Sequence, residues 1–247
     1  MSLSETISAR THRFMETTLG TDTARAQDHL SSRRVRIALD PLVAGDYTGQ
    51  MILFTLLNLL VRLDAYCPAL EVVVPEVARH PLVRLLPPGA LGTSLFTFFS
   101  SFPAARRLSI RSTEPVRSSG TDISLGISPR PTPGAVSIWA DGWIVYLNAP
   151  APTGAADLNP VGASVAAGLG AAELFKRLVL ELPLRPGLRV LPIEHLIFST
   201  YDYRLEAGEN PPLPSVIDVD GVVVVVIEQA ARAEVRLRLP ALRAFRG

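Results

Sequence analysis

The fold is decided by residues 34–74, RVRIALD PLVAGDYTGQ MILFTLLNLL VRLDAYCPAL EVVV. Over Arg34–Asp40, Val35, Ile37 and Leu39 alternate with Arg36 and Ala38, the period of a strand with one buried face. A turn with Gly45 and Asp46 follows. Gly49–Ala65 then predicts a buried helix, with Leu53, Leu56, Leu57, Leu60, Val61 and Leu63 on a broad apolar face. Pro68 stops it, and Glu71–Val74 predicts a second strand. A strand–helix–strand unit of this length, roughly 35–40 residues, normally makes parallel neighbours through a right-handed crossover.

Upstream, residues 2–32 predict one or two short amphipathic helices, with Thr21 and Asp22 capping the second. Downstream, 76–92 predicts a short helix and a Pro-Pro-Gly turn, Ser94–Phe99 a buried strand, and 111–120 an exposed loop. Asp122–Ile127, Val136–Ala140 and Trp143–Leu147 predict three more strands, the last two joined through Asp141-Gly142, a strong hairpin signal. Residues 157–182 predict one capped helix: Asp157 or Asn159 at the N-cap and Pro160 at the first position. Ala163, Ala166, Ala167, Gly170 and Ala171 give it a smooth face, and Phe175, Leu178, Val179 and Leu182 add bulk. Glu173, Lys176 and Arg177 mark an exposed side at helical spacing. Leu196–Tyr203 predicts a strand, Ala207–Pro214 a linker and Val222–Ile227 a final buried strand. The fold class expected is α/β: a Rossmann-like mixed sheet with helices on both faces and an antiparallel hairpin portion. Residues 1–32 form a helical segment, 33–206 the α/β domain, and 207–247 a linker with C-terminal strands, the remnant of a second domain.

A hydrophobic fraction of 48% over 247 residues supports a sizeable core. A net charge of +1 makes no electrostatic case for nucleic acid or an anionic membrane. Cys67 is the only cysteine, so there is no internal disulfide and no cysteine-based zinc site. The polar first 30 residues lack the apolar run of a signal peptide, and Met51–Val61 is too short for a membrane span. A cytoplasmic protein is expected.

Candidate chemistry is sparse. In open α/β sheets ligands bind outside the carboxyl ends of strands. Asp40 ends the first strand, and Thr48 and Gly49 open the next helix, where free N–H groups could hold an anion. That loop contains no Gly-x-Gly. Cys67 lies at a helix C-terminus, the wrong end to activate a thiol, so a structural role is expected. His12, His29, His80 and His195 share no metal-ligand spacing, and His12 and His29 are expected to be solvated. Glu194–His195 could do acid–base work, but a loop pair before a strand is the expected reading. Gly162, Gly168 and Gly170 sit inside an alanine-rich helix and predict close packing rather than a dinucleotide fingerprint. Ser128, Ser164 and Ser199 lack the Gly-x-Ser-x-Gly elbow of a hydrolase. Trp139 and Trp143 flank the Asp-Gly turn, as partner anchors or as sheet packing.

Several pieces also stand in a telling order. Val35-Arg36-Ile37-Ala38-Leu39-Asp40 precedes a Gly-Gln helix ending in Arg62-Leu63. Gly142-Trp143 and an Asn159-Pro160-x-Gly162 helix with an Ala-Ala-Glu-x-x-Lys ending follow. Then come Pro211-Pro212-Leu213-Pro214 and Val216-Ile217-Asp218-Val219 before an all-valine strand. Over roughly residues 33–227 this order resembles a bacterial group of the ThiF/MoeB/HesA superfamily, the ubiquitin-activating-enzyme-like adenylyltransferases. The resemblance implies an N-terminal, Rossmann-like, non-catalytic half. The adenylating half would begin with a valine-rich strand running into Gly-x-Gly-x-x-Gly. Here Val222–Val226 continues as Ile227-Glu228-Gln229-Ala230-Ala231-Arg232, so no catalytic residue carries over. The chain reads as a natural split protein or a truncated one.

The function implied is scaffolding: pairing with a ThiF-like catalytic half, or presenting a ubiquitin-like or conjugating protein, in a homo- or hetero-oligomer. No cofactor is expected, ATP and Mg²⁺ entering only where another chain supplies the catalytic half. Trp139, Trp143, Gly162, Ala167 and Gly170 are the expected contact residues. The alternatives are a ubiquitin-conjugating-like protein using Cys67, and a small-molecule or nucleotide-binding enzyme using Asp40, Thr48 and Gly49.

Overall fold

The computed structural model describes residues 12–112, 123–152, 158–206 and 208–212. The chain divides into two compact units, Met1–Pro211 and Pro212–Gly247. The expected Asp157 cap, the strand at Val222–Ile227 and the stretch around it lie outside the described residues.

The chain runs α1 (Thr23–Ser32), β1 (Arg34–Leu39), α2 (Tyr47–Val61), β2 (Ala69–Val73), α3 (Leu91–Phe99), β3 (Leu108–Arg111), β4 (Ile123–Ile127), β5 (Val136–Asp141), β6 (Ile144–Leu147), α4 (Pro160–Val179) and β7 (Leu196–Ser199). Seven strands form one sheet in the order β3-β2-β1-β4-β5-β6-β7. The first five are parallel neighbours, and β6 and β7 pair antiparallel, as the sequence predicts for a Rossmann-like mixed sheet with a hairpin. Among the described residues no helix is long and apolar enough to cross a membrane.

Three elements differ from expectation. Ser94–Phe99 is not a strand but the body of α3. Leu91, Leu95 and Phe99 recur every fourth residue and are all buried, while Phe96 is exposed. Two adjacent phenylalanines read equally well at either period; the spacing of the leucines decides. No helix forms over 76–90. Prolines at 75, 81, 87 and 88 break it, and Arg79 instead gathers the carbonyls of His80, Pro81 and Val83. Strand β3 begins inside a stretch too short and too arginine-rich to announce itself.

The helix-bearing face of the sheet is closely packed. Val35, Ile37, Leu39, Leu125, Ile127, Val136, Ile138 and Ala140 are buried beneath α2 and α4. The Asn159 side chain accepts a hydrogen bond from the Val161 N–H at 2.9 Å, and Pro160 takes the first position of α4, as predicted. Ala163, Ala166 and Ala167 are fully buried. A Cβ on Gly162 would lie 2.0 Å from the Gly142 carbonyl oxygen, and one on Gly170 2.7 Å from Ile138 Cδ1. Glycine here is a condition of contact. Asp22 caps α1 through the Arg25 N–H. Met15, Ala26 and Leu30 belong to the same hydrophobic core.

The opposite face is built differently. Parallel strands usually need about a dozen residues to cross over, yet β4 and β5 are joined by residues 128–135 alone. So short a link cannot contain a packing helix. It lies back over the sheet, with Thr132 Oγ1 3.7 Å from the position of a Cβ on Gly126.

Candidate functional site

Strand order reverses between β1 and β4, the point at which an open α/β sheet forms a crevice at its carboxyl edge. Asp40 follows β1 there and is the only one of the expected ligand residues to face it. Its N–H donates to the Ile127 carbonyl at 3.1 Å. Its Oδ1 accepts from the Leu42 N–H at 2.9 Å, and its Oδ2 from the Ser128 hydroxyl at 2.7 Å. The carboxylate thereby caps the 3₁₀ turn Pro41–Val43 and links the ends of β1 and β4.

A cleft of about 460 Å³ opens beside this link, within the range of small-molecule sites. Its floor is the sheet face turned away from α2 and α4. The register pairs Arg36 with Ser124 and Ala38 with Gly126, and Asp40 and Ser128 come next along the two strands. All six residues line the cleft, roofed by Thr132, Pro133, Gly134 and Ala135. The two ends are polar. The middle is as small as a sheet allows.

Thr48 and Gly49 are not at this site. Both are buried in the first turn of α2, where a Cβ on Gly49 would meet the Val43 carbonyl oxygen at 2.6 Å. The chain's own turn fills the space expected for an anion. Trp139 is buried and lies against Gly49. Trp143 sits in the hairpin turn with its ring 5.6 Å from that of Tyr201. Gly162, Ala167 and Gly170 face the sheet and α2, so the small-residue face expected for a partner is used within the chain.

The other titratable groups have structural duties. Cys67 is fully buried and its thiol donates to the Pro68 carbonyl. Burial pushes the thiol up to about 12, so it stays protonated near neutral pH. His12 and His29 are not simply solvated: His12 Nδ1 is 2.8 Å from the Tyr66 hydroxyl, and His29 Nε2 is 3.0 Å from the Leu178 carbonyl. Burial lowers the His80 pKa. Glu194 and His195 are exposed. Glu173, expected on an exposed side, is fully buried. It accepts from the Ile193 N–H at 3.1 Å and pairs with Lys176 and Arg177. Among the described residues no group of His, Cys, Asp and Glu could hold a metal ion.

Sequence reasoning missed Arg36, Ser124 and Gly126. Their signal was present: an arginine inside an apolar strand, and a glycine inside another, mark a close approach or an opening. Ser128 was weighed only as a hydrolase nucleophile. No curated protein matches the chain. Residues 34–184 match the family model of the BilD N-terminal domain. That match spans more than half of the chain, which therefore belongs to this family.

Proposed function

We propose that this member of the BilD N-terminal domain family is a non-catalytic, partner-binding half in a bacterial ubiquitin-like activation system. The supporting observation is the β1–α2 junction. Dinucleotide folds leave the helix N-terminus after β1 open so that phosphate oxygens reach its free N–H groups. Here Asp40 takes the Leu42 N–H, and the Val43 carbonyl closes on Gly49. The motif order that resembles the ThiF-like superfamily supplies the partner class: a ThiF-like catalytic chain, or a ubiquitin-like or conjugating protein, with which the chain forms an oligomer in the cytoplasm. ATP and Mg²⁺ belong to that catalytic chain. Of the expected contact residues, Trp143 is the one not buried, and its neighbour Tyr201 is 49% exposed, so this corner is the contact to test.

Calorimetry of the chain alone with ATP and Mg²⁺ should give no binding heat. Co-expression with a ThiF-like adenylyltransferase chain should yield a complex that co-elutes, and Trp143→Ala should weaken its capture. Micromolar ATP binding by the chain alone would overturn the non-catalytic reading. A folded chain that forms no complex would overturn the partner-binding one.

A further inference from the structure

The strand order ends at β3, away from the Trp143 corner, and the surface there is built for a contact of its own. Among the described residues β3 has β2 alone as a strand neighbour. The Val74 N–H donates to the Arg111 carbonyl at 2.9 Å. Alternate residues of a parallel strand turn to the same neighbour, so Ser109 and Arg111 face β2, while Leu108, Ile110 and Ser112 face outward. The Leu108 N–H is taken by the Ala105 carbonyl. Ile110 turns both its N–H and its carbonyl away from the sheet.

Beside this edge lies a groove of about 720 Å³ lined by Val77, Ala90, Gly92, Phe96 and Ile110. Helix α3 forms its wall, and none of the nine residues of α3 is charged. Thr93, Phe96 and Thr97 are exposed at helical spacing, Phe96 by 57%. The outer face of a helix that meets only water normally carries charge. An aromatic residue among uncharged neighbours is instead the composition of an interface core. Charge stands at the two ends of the edge: Arg106, exposed, precedes β3, and Glu76, exposed, lies by its carboxyl end. Arg111 leans to Glu71, at 3.8 Å.

We propose that a second copy of the chain docks on this edge, β3 against β3 in antiparallel register about a two-fold axis at Ile110. Reciprocal N–H···O bonds join the facing Ile110 residues, and each Ser112 N–H meets the Leu108 carbonyl of the other copy. None of these bonds needs the Leu108 N–H. The contact is isologous: the Phe96 rings and Ile110 side chains approach across the axis, and water leaves both grooves. Antiparallel pairing sets the carboxyl end of each β3 against the amino end of the other. Glu76 of one copy therefore faces Arg106 of its mate, at both ends of the contact.

The test uses the full chain. Sedimentation at high micromolar concentration should give twice the 26.6 kDa of one chain. Phe96→Glu and Ser112→Pro, in chains whose melting profiles match the wild type, should leave monomer. Glu76→Arg and Arg106→Glu should each weaken the dimer about tenfold, and the two together should restore it. Ile110→Cys sets two thiols across the axis at a Cα separation of about 5.5 Å, within disulfide reach. Mild oxidation should link that variant, while the wild-type chain, whose Cys67 is buried, should stay unlinked. A chain that stays monomeric refutes the proposal. So does a dimer that survives Phe96→Glu, or one that Trp143→Ala disperses instead, because the contact then lies elsewhere.

Discussion

Glycine does opposite work on the two faces of this sheet. On the helix side, Gly162 and Gly170 are where backbone and side chains press together, and a Cβ would meet atoms at 2.0 and 2.7 Å. On the other side a Cβ on Gly126 would find its nearest neighbour, Thr132 Oγ1, at an ordinary 3.7 Å. The difference follows from what each face must cover. A long crossover carries a helix whose apolar stripe has to be buried. A crossover confined to 128–135 carries nothing to bury, and leaves a hollow. A glycine therefore has to be read with its connection: within a packed helix it permits contact, beneath a short link it makes room.

Five substitutions would break or sharpen this contrast. Gly162→Ala should be the most damaging, because the obstacle is the backbone carbonyl of Gly142, which no rotamer change can move. A loss of about 3 kcal/mol in urea unfolding is expected. Glu173→Ala removes the anchor that ties residue 193 to α4 and leaves the Ile193 N–H without its acceptor; about 1–3 kcal/mol should go. This site also sets a pH dependence. Burial pushes the Glu173 carboxyl up, but Lys176, the Ile193 N–H and Arg177 outweigh it and hold the pKa below 4.5. A depressed folded-state pKa contributes stability above the unfolded value that is lost as pH falls through the folded one. The wild-type chain should therefore lose more stability than Glu173→Gln on acidification below 4.5; parallel pH profiles would show that the carboxylate contributes nothing. Gly170→Ala meets side-chain atoms of Ile138 and Leu125 rather than backbone, and should cost about 1 kcal/mol. Gly126→Ala should be the mildest, within about 1 kcal/mol of neutral and of either sign. Were it as damaging as Gly162→Ala, the two faces would not differ as described.

Most of the scaffold was legible in the chain. β1, α2 and β2 follow from Val35, Ile37 and Leu39 and from the leucines of residues 53–63, because alternation and helical periodicity were both sustained. The Asn159-Pro160 start of α4 carried its own local chemistry. What failed was local ambiguity settled by distant partners. Ser94–Phe99 suits a strand until Leu91 and Leu95 find a common neighbour. Glu173 looks solvent-facing until residue 193 returns to cover it. The cleft was legible only at Asp40. A site made from the register of two strands, 36 with 124 and 38 with 126, cannot be seen before the strands are known to be adjacent. Thr48 and Gly49 misled for a related reason: a free helix N-terminus in the sequence was filled in space by the preceding turn.

The Glu173 anchor has a consequence for acyl-transfer chemistry. Lys176 is the chain's only lysine, and its ammonium is held 2.6 Å from Glu173 and 3.1 Å from the Leu191 carbonyl. The chain thus carries a single ε-amine. A reagent that acylates amines would have to break both the Glu173 and the Leu191 contact to reach it.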